Sequence, residues 1–149
     1  MKHSLFTLPL IAACAMVCSC KDAKMKAETI GDATFARHTF ESLAKGDQSV
    51  SNSLDWKTLN CLGTDVGMAY VKIDSEEDQR RFREGFITQF SSSFQQSGGK
   101  VEDFGSWKVV EHDATHTVVS AASPTKMLNI TVNERDGKER VSGLTVSNP

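Results

Sequence analysis

From residue 29 onward the apolar positions first recur at helical spacing and then switch to alternation. Ala33, Ala36, Phe40, Leu43 and Ala44 share one face of a helix predicted to run from Asp32, an N-cap residue type, to Lys45, with Gly46 placed to end it. A shorter helical stretch over 52–60 gathers Leu54, Trp56 and Leu59; glycines 63 and 67 break the pattern, and 68–73 alternates weakly, as a short strand would. Ser75 followed by Glu76, Glu77 and Asp78 is the clearest helix start. The serine caps free amide donors and the acids suit the positive end of the helix dipole. Phe82, Phe86, Phe90 and Phe94 follow at steps of four. At about 100° per residue such a stripe drifts by roughly 40° per step, so with Ile87 it covers a broad winding face. This helix, over 76–96, is expected to carry the largest block of core before Gly98 and Gly99 stop it.

Beyond Val101 the pattern is that of strands: 101–112 with Trp107 and Val109, 115–123 with Val118 and Val119, 127–134 with Leu128, Ile130 and Val132, and 139–147 with Val141, Leu144 and Val146. Asp113-Ala114, Pro124 and Asp136-Gly137 supply the turns, the last being a strong two-residue hairpin signal. Four strands in series predict an antiparallel meander. A helix over 76–96 is about 31 Å long, close to a nine-residue strand. The expected class is α+β, N-terminal helices packed on a curved four-stranded antiparallel sheet.

The first twenty residues follow another pattern: Lys2 and His3, an apolar run from Leu5 to Ala13, then Cys14, Cys18 and Cys20, and an abrupt change to Lys21-Asp22-Ala23-Lys24. The run contains Pro9 and is shorter than the about 20 apolar residues of a membrane span, so residues 1–19 are expected to be a signal peptide. Val17-Cys18-Ser19-Cys20 resembles the lipobox of bacterial lipoproteins, an aliphatic residue and two small ones before the cysteine that receives the lipid. The resemblance implies lipidation of Cys20; Ile11-Ala12-Ala13-Cys14 is a competing match that would lipidate Cys14. Residues 20–28 then read as lipid anchor and tether, and 29–149 as a single domain. The implied location is the cell envelope. Because Lys21 rather than an aspartate follows Cys20, it is the outer membrane facing the periplasm in a Gram-negative host.

Composition narrows the function classes. Removing residues 1–19 leaves 16 of the 17 basic side chains and all 19 acidic ones. No basic excess points to nucleic acid. With Cys20 lipidated, Cys61 is the only other cysteine, so no intramolecular disulfide is expected and Cys61 reads as a small buried apolar residue.

The order of helices before a bent meander, with Phe40-Glu41-Ser42-Leu43-Ala44-Lys45-Gly46-Asp47 closing the first helix, resembles the nuclear transport factor 2-like or cystatin-like superfamily. In particular it resembles the small lipid-anchored bacterial members, whose function is unknown. The resemblance covers most of 29–147 and implies a conical pocket between sheet and helices, used in some relatives for catalysis and in others for binding or for dimerisation through the sheet. Gly137-Lys138-Glu139-Arg140-Val141 lacks the tryptophan of the Gly-x-Trp-x-Ile phrase often found on a late strand. No acid matches the steroid isomerase motif, Tyr70 is the only tyrosine, and no catalytic residue is carried over.

The densest polar cluster is Glu111-His112-Asp113-Ala114-Thr115-His116. Across a tight hairpin His112 and His116, with Glu111 or Asp113, are the candidate metal ligands, though a third convergent donor is not identifiable. His38 reads as a surface residue, and Arg80, Arg81 and Arg83 against Glu76, Glu77, Asp78 and Glu84 read as a salt-bridged solvent face. No nucleophile elbow, zinc-protease motif or phosphate loop is present, and no cofactor is expected. The expectation is a non-enzymatic, membrane-anchored envelope lipoprotein binding a small apolar ligand or a protein partner. The alternatives are a small pocket enzyme and a structural subunit forming a homodimer through the sheet.

Overall fold

The computed structural model describes residues 17–149, with side chains from Met25 onward except that of Ala27. Residues 1–16, which include Cys14 and most of the expected signal peptide, lie outside the described residues, as do the side chains of Cys18 and Cys20. Among the described residues no helix is long and apolar enough to cross a membrane.

The chain is α+β, with helices followed by a six-stranded mixed sheet. Helix α1 runs from Val17 to Lys45, strands β1 (Asn60–Cys61) and β2 (Thr64–Asp65) form a small hairpin, and helices α2 (Val66–Tyr70) and α3 (Glu76–Gln96) follow. Strands β3 (Gly105–His112), β4 (His116–Ala122), β5 (Met127–Arg135) and β6 (Lys138–Ser147) form the expected meander, except that Val101–Asp103, expected to open its first strand, form a 3-10 turn. The sheet order is β2-β1-β6-β5-β4-β3. The expectation of four antiparallel strands is thus corrected: β1 adds to the free edge of β6 in parallel, pairing Asn60 with Gly143 and Cys61 with Leu144. A two-residue strand is too short to show alternation, so only docking on β6 defines it.

Several helix boundaries also differ. Asp32 is not an N-cap, because α1 begins fifteen residues earlier. The helix expected over 52–60 is a 3-10 turn, Gln48–Ser53, capped by Asp47 and followed by extended chain in which Asp55 N donates to Val141 O at 2.8 Å. The weak strand expected over 68–73 is instead α2, started by Asp65, whose carboxylate accepts from Met68 N. By contrast, Ser75 caps α3 as predicted, accepting from Asp78 N at 3.0 Å. Asp136 and Gly137 both have positive φ, 55° and 69°, the geometry of a two-residue hairpin between paired Arg135 and Lys138.

The core lies between α1, α3 and one face of the sheet. Ala36, Phe40 and Leu43 of α1 meet Val119, Leu128, Ile130, Val132, Val141 and Leu144 of the sheet, with Leu54, Trp56 and Leu59 closing the β6 edge. From α3 only Ile87 is a fully buried apolar side chain. Its four phenylalanines are half-buried and pack against the core from outside, so α3 is not the largest block of core. The 40° drift per step carries rings out of the interface faster than one flat contact can follow. Register shifts between Val109 and Glu111 and between Thr131 and Val132 mark bulges, which bend the strands over the helices.

Candidate functional site

Two contiguous grooves run along the outer side of α3, about 640 and 720 Å³ in volume, sharing Leu62, Phe90 and Ser93. Phe82 and Phe86 line one, while Phe94, Phe104, Pro124 and Val146 line the other. The rings stand where the winding stripe leaves the core. Phe94 packs against Gly99, where an added Cβ would come to 2.5 Å from the ring, so a glycine is needed for the ring to take this position. Phe40 supports the floor, its ring centroid 5.6 Å from that of Phe94 and 5.2 Å from that of Phe104, both edge-on.

Leu62 forms the lip. It sits with Gly63 at the tip of the β1–β2 hairpin, 57% exposed, and its φ of 52° lies in the left-handed region. For a leucine that conformation costs roughly 1–2 kcal/mol. The backbone is held there by Leu62 N donating to Leu144 O at 2.8 Å. An exposed apolar side chain kept in an unfavourable conformation at the edge of an apolar groove is unlike the polar residues that usually occupy hairpin tips.

The polar cluster of the β3–β4 hairpin divides in two. His116 Nε2 lies 3.2 Å from Glu111 Oε1 and its Nδ1 lies 3.1 Å from Asp113 Oδ2. One donor atom from each of the three residues falls within 4.8 Å of the others. The Asp113 carboxylate also accepts from Thr115 N, Thr115 Oγ1 and His116 N, at 2.7, 2.7 and 3.0 Å. Those bonds, the threonine's first, hold its carboxyl down to about 2. A hairpin clasp accounts for this geometry in full. His112 is not brought to His116. It pairs with Thr117 across the ladder, its Nδ1 2.8 Å from Thr117 Oγ1. Thr117 gives its single proton to Asp32 Oδ2 at 2.6 Å, so His112 Nδ1 must be the donor to Thr117.

Asp32 is therefore a buried polar anchor between α1 and the sheet, 85 residues from its partner. Its neighbour Glu139 faces Glu134 across β5–β6. Burial first, then the Asp32 carboxylate and Glu134, push the Glu139 carboxyl up. Helical periodicity alone places Asp32 at a helix end, and nothing local distinguishes an N-cap aspartate from one that reaches β4. Cys61 is buried and free, and its burial raises the thiol to about 11, which keeps it protonated and unreactive at neutral pH. His38 is exposed, and Arg80 and Arg81 pair with Glu77, Asp78 and Glu84 as expected. Arg83 does not join them. Its Nη1 donates to Tyr70 Oη at 2.7 Å.

No protein-family model matches this chain, and no curated protein or solved structure shows significant similarity to it.

Proposed function

We propose that the protein is an exported lipoprotein anchored through a lipid on Cys20, and that its domain is a non-enzymatic binding module taking a small apolar ligand in the groove beside α3. The observation that carries the binding half is the groove itself, with half-exposed rings as its wall and the strained, exposed Leu62 as its lip. Its volume falls in the range of about 300–1,000 Å³ usual for small-molecule sites, which are mostly apolar. The anchoring half rests on the apolar run and Val17-Cys18-Ser19-Cys20. Lys21 favours the outer membrane in a Gram-negative host. The finer fold reading, a nuclear transport factor 2-like or cystatin-like cone, is supported by the element order and by the bulges that bend the meander over α1.

The anchor is tested by radiolabelled palmitate incorporation: Cys20→Ala should abolish labelling and membrane retention, whereas labelling lost only in Cys14→Ala moves the site upstream. For the groove, an environment-sensitive fluorescent fatty acid titrated into the full-length chain should saturate and be displaced by unlabelled apolar competitors. Turnover of a substrate by the purified chain that depends on one side chain would overturn the non-enzymatic reading.

A further inference from the structure

A second cleft, of about 370 Å³, opens where the β5–β6 hairpin meets the chain segment beside β6. Lys57, Arg83, Arg135 and Arg140 line it together with two carboxylates, Asp55 and Asp136. That leaves a surplus of two positive charges in a chain whose formal net charge is -2. The four cations come from four separate segments: the loop after the 3-10 turn, α3, the end of β5 and the start of β6. A solvated helix face neutralises its charges locally, as Arg80 and Arg81 do with acids one turn away. Among the described residues neither Arg83 nor Arg140 forms an ion pair with a carboxylate.

Two of these cations are held in place by groups that do not compete for a ligand from solvent. Arg83 donates to Tyr70 Oη, Tyr70 donates to Gln79 Oε1 at 3.1 Å, and Gln79 Nε2 donates to Ile73 O at 2.8 Å. The relay fixes the guanidinium against a buried aromatic wall. Arg135 is held by Asp55, whose side chain is 3% exposed and whose Oδ2, 3.5 Å from Arg135 Nη2, has no hydrogen-bond partner. A buried carboxylate oxygen is satisfied here only by that guanidinium, so Arg135 is drawn to the cleft wall with donors to spare.

We infer that this cleft binds the phosphoryl group of a small molecule or lipid headgroup. A dianion balances the surplus charge, and guanidinium forks recognise oxyanions through paired hydrogen bonds. Cations converging from α3, the hairpin and the loop surround a tetrahedral group more completely than a planar carboxylate. The site is separate from the apolar groove, and the inference does not depend on that reading.

The test is equilibrium binding to the full-length chain of inorganic phosphate, glycerol 3-phosphate, succinate, and vesicles of phosphatidylcholine with or without phosphatidic acid, at fixed ionic strength. Binding should weaken as salt is raised. Arg140→Gln and Arg83→Gln should each lose affinity at least about tenfold, the scale of one charge-assisted contact, while Arg81→Gln, which removes an equal charge from the solvated face, should change it less than about twofold. Circular dichroism and the melting temperature establish that each variant is folded. Binding of the soluble phosphates assigns a soluble ligand, and binding only to phosphatidic acid vesicles assigns a lipid headgroup. Binding to neither, equal losses in Arg140→Gln and Arg81→Gln, or succinate binding as tightly as phosphate would each overturn the assignment.

Discussion

Two sides of α3 face clefts of opposite chemistry. Toward its C-terminus Phe90 and Phe94 form a wall that Leu62 and Val146 complete from the sheet edge. Toward its N-terminus Arg83 leaves the salt-bridged face, bonds Tyr70 and joins Arg135 and Arg140. The winding stripe supplies the first, and Arg83, next to it on the same helix, supplies the second. What differs is the element opposite: a hairpin tip carrying an exposed leucine in the first case, the arginine-bearing β5–β6 hairpin in the second. A helix face thus acquires its chemistry from what docks beside it, and neighbouring residues one turn apart can serve different sites.

The largest expected effect tests whether the two clefts share a foundation. Phe40→Ala removes the ring on which Phe94, Phe104 and Trp107 meet. Denaturant unfolding should show a loss of about 3–5 kcal/mol, with the apolar groove weakened first. A loss under about 1 kcal/mol would show that these rings do not form a common core. Next comes Asp55→Ala, which strips Arg135 of its buried partner and should cost about 1–3 kcal/mol. It should perturb the cationic cleft while leaving apolar-probe affinity near wild type. An equal loss in both clefts would mean that Asp55 serves the fold generally.

Leu62→Ser reverses that pattern. As an exposed substitution it should move stability by less than about 0.5 kcal/mol, yet reduce apolar-probe binding several-fold without touching phosphate binding. The smallest effect is one of pH. The raised Glu139 carboxyl means that the folded chain holds this proton more tightly than the unfolded chain does. Its influence on stability is therefore favourable at low pH and is withdrawn as pH rises from the ordinary carboxylate range through the raised value. Glu139→Gln should flatten that slope and stabilise the chain slightly at neutral pH, by less than about 1 kcal/mol because the group meets solvent. Melting curves of the two proteins that stay parallel from pH 4 to 7 would contradict it. The Asp113 carboxyl, held down to about 2, acts in the opposite sense: its contribution is present above the ordinary aspartate range and is lost as pH falls through that range, so it adds slope only at the acid end of the interval.

Much of the scaffold was legible. Ser75 with its acids, Asp136-Gly137 and the four alternating runs each encode structure through contacts a few residues apart, and α3 and the meander stand where they were expected. The functional geometry was less so. His112 and His116 are neighbours in sequence, yet the pleat sends one to Thr117 and Asp32 and the other to Glu111 and Asp113. Gln79 and Arg83, one helical turn apart, could have hinted that Arg83 shared a face with a polar partner rather than with the salt bridges. Nothing local pointed from there to Tyr70.

The sequence by itself determined the α+β class, the long aromatic helix, the meander and the Asp136-Gly137 turn, because capping, periodicity and turn chemistry act over one to four residues. Only the tertiary structure decided that β1 extends the sheet in parallel, that Asp32 is a buried anchor, and that arginines from three elements meet at one cleft. Those outcomes depend on contacts between residues dozens of positions apart. Their favourable energy exists only once the core has brought the segments together.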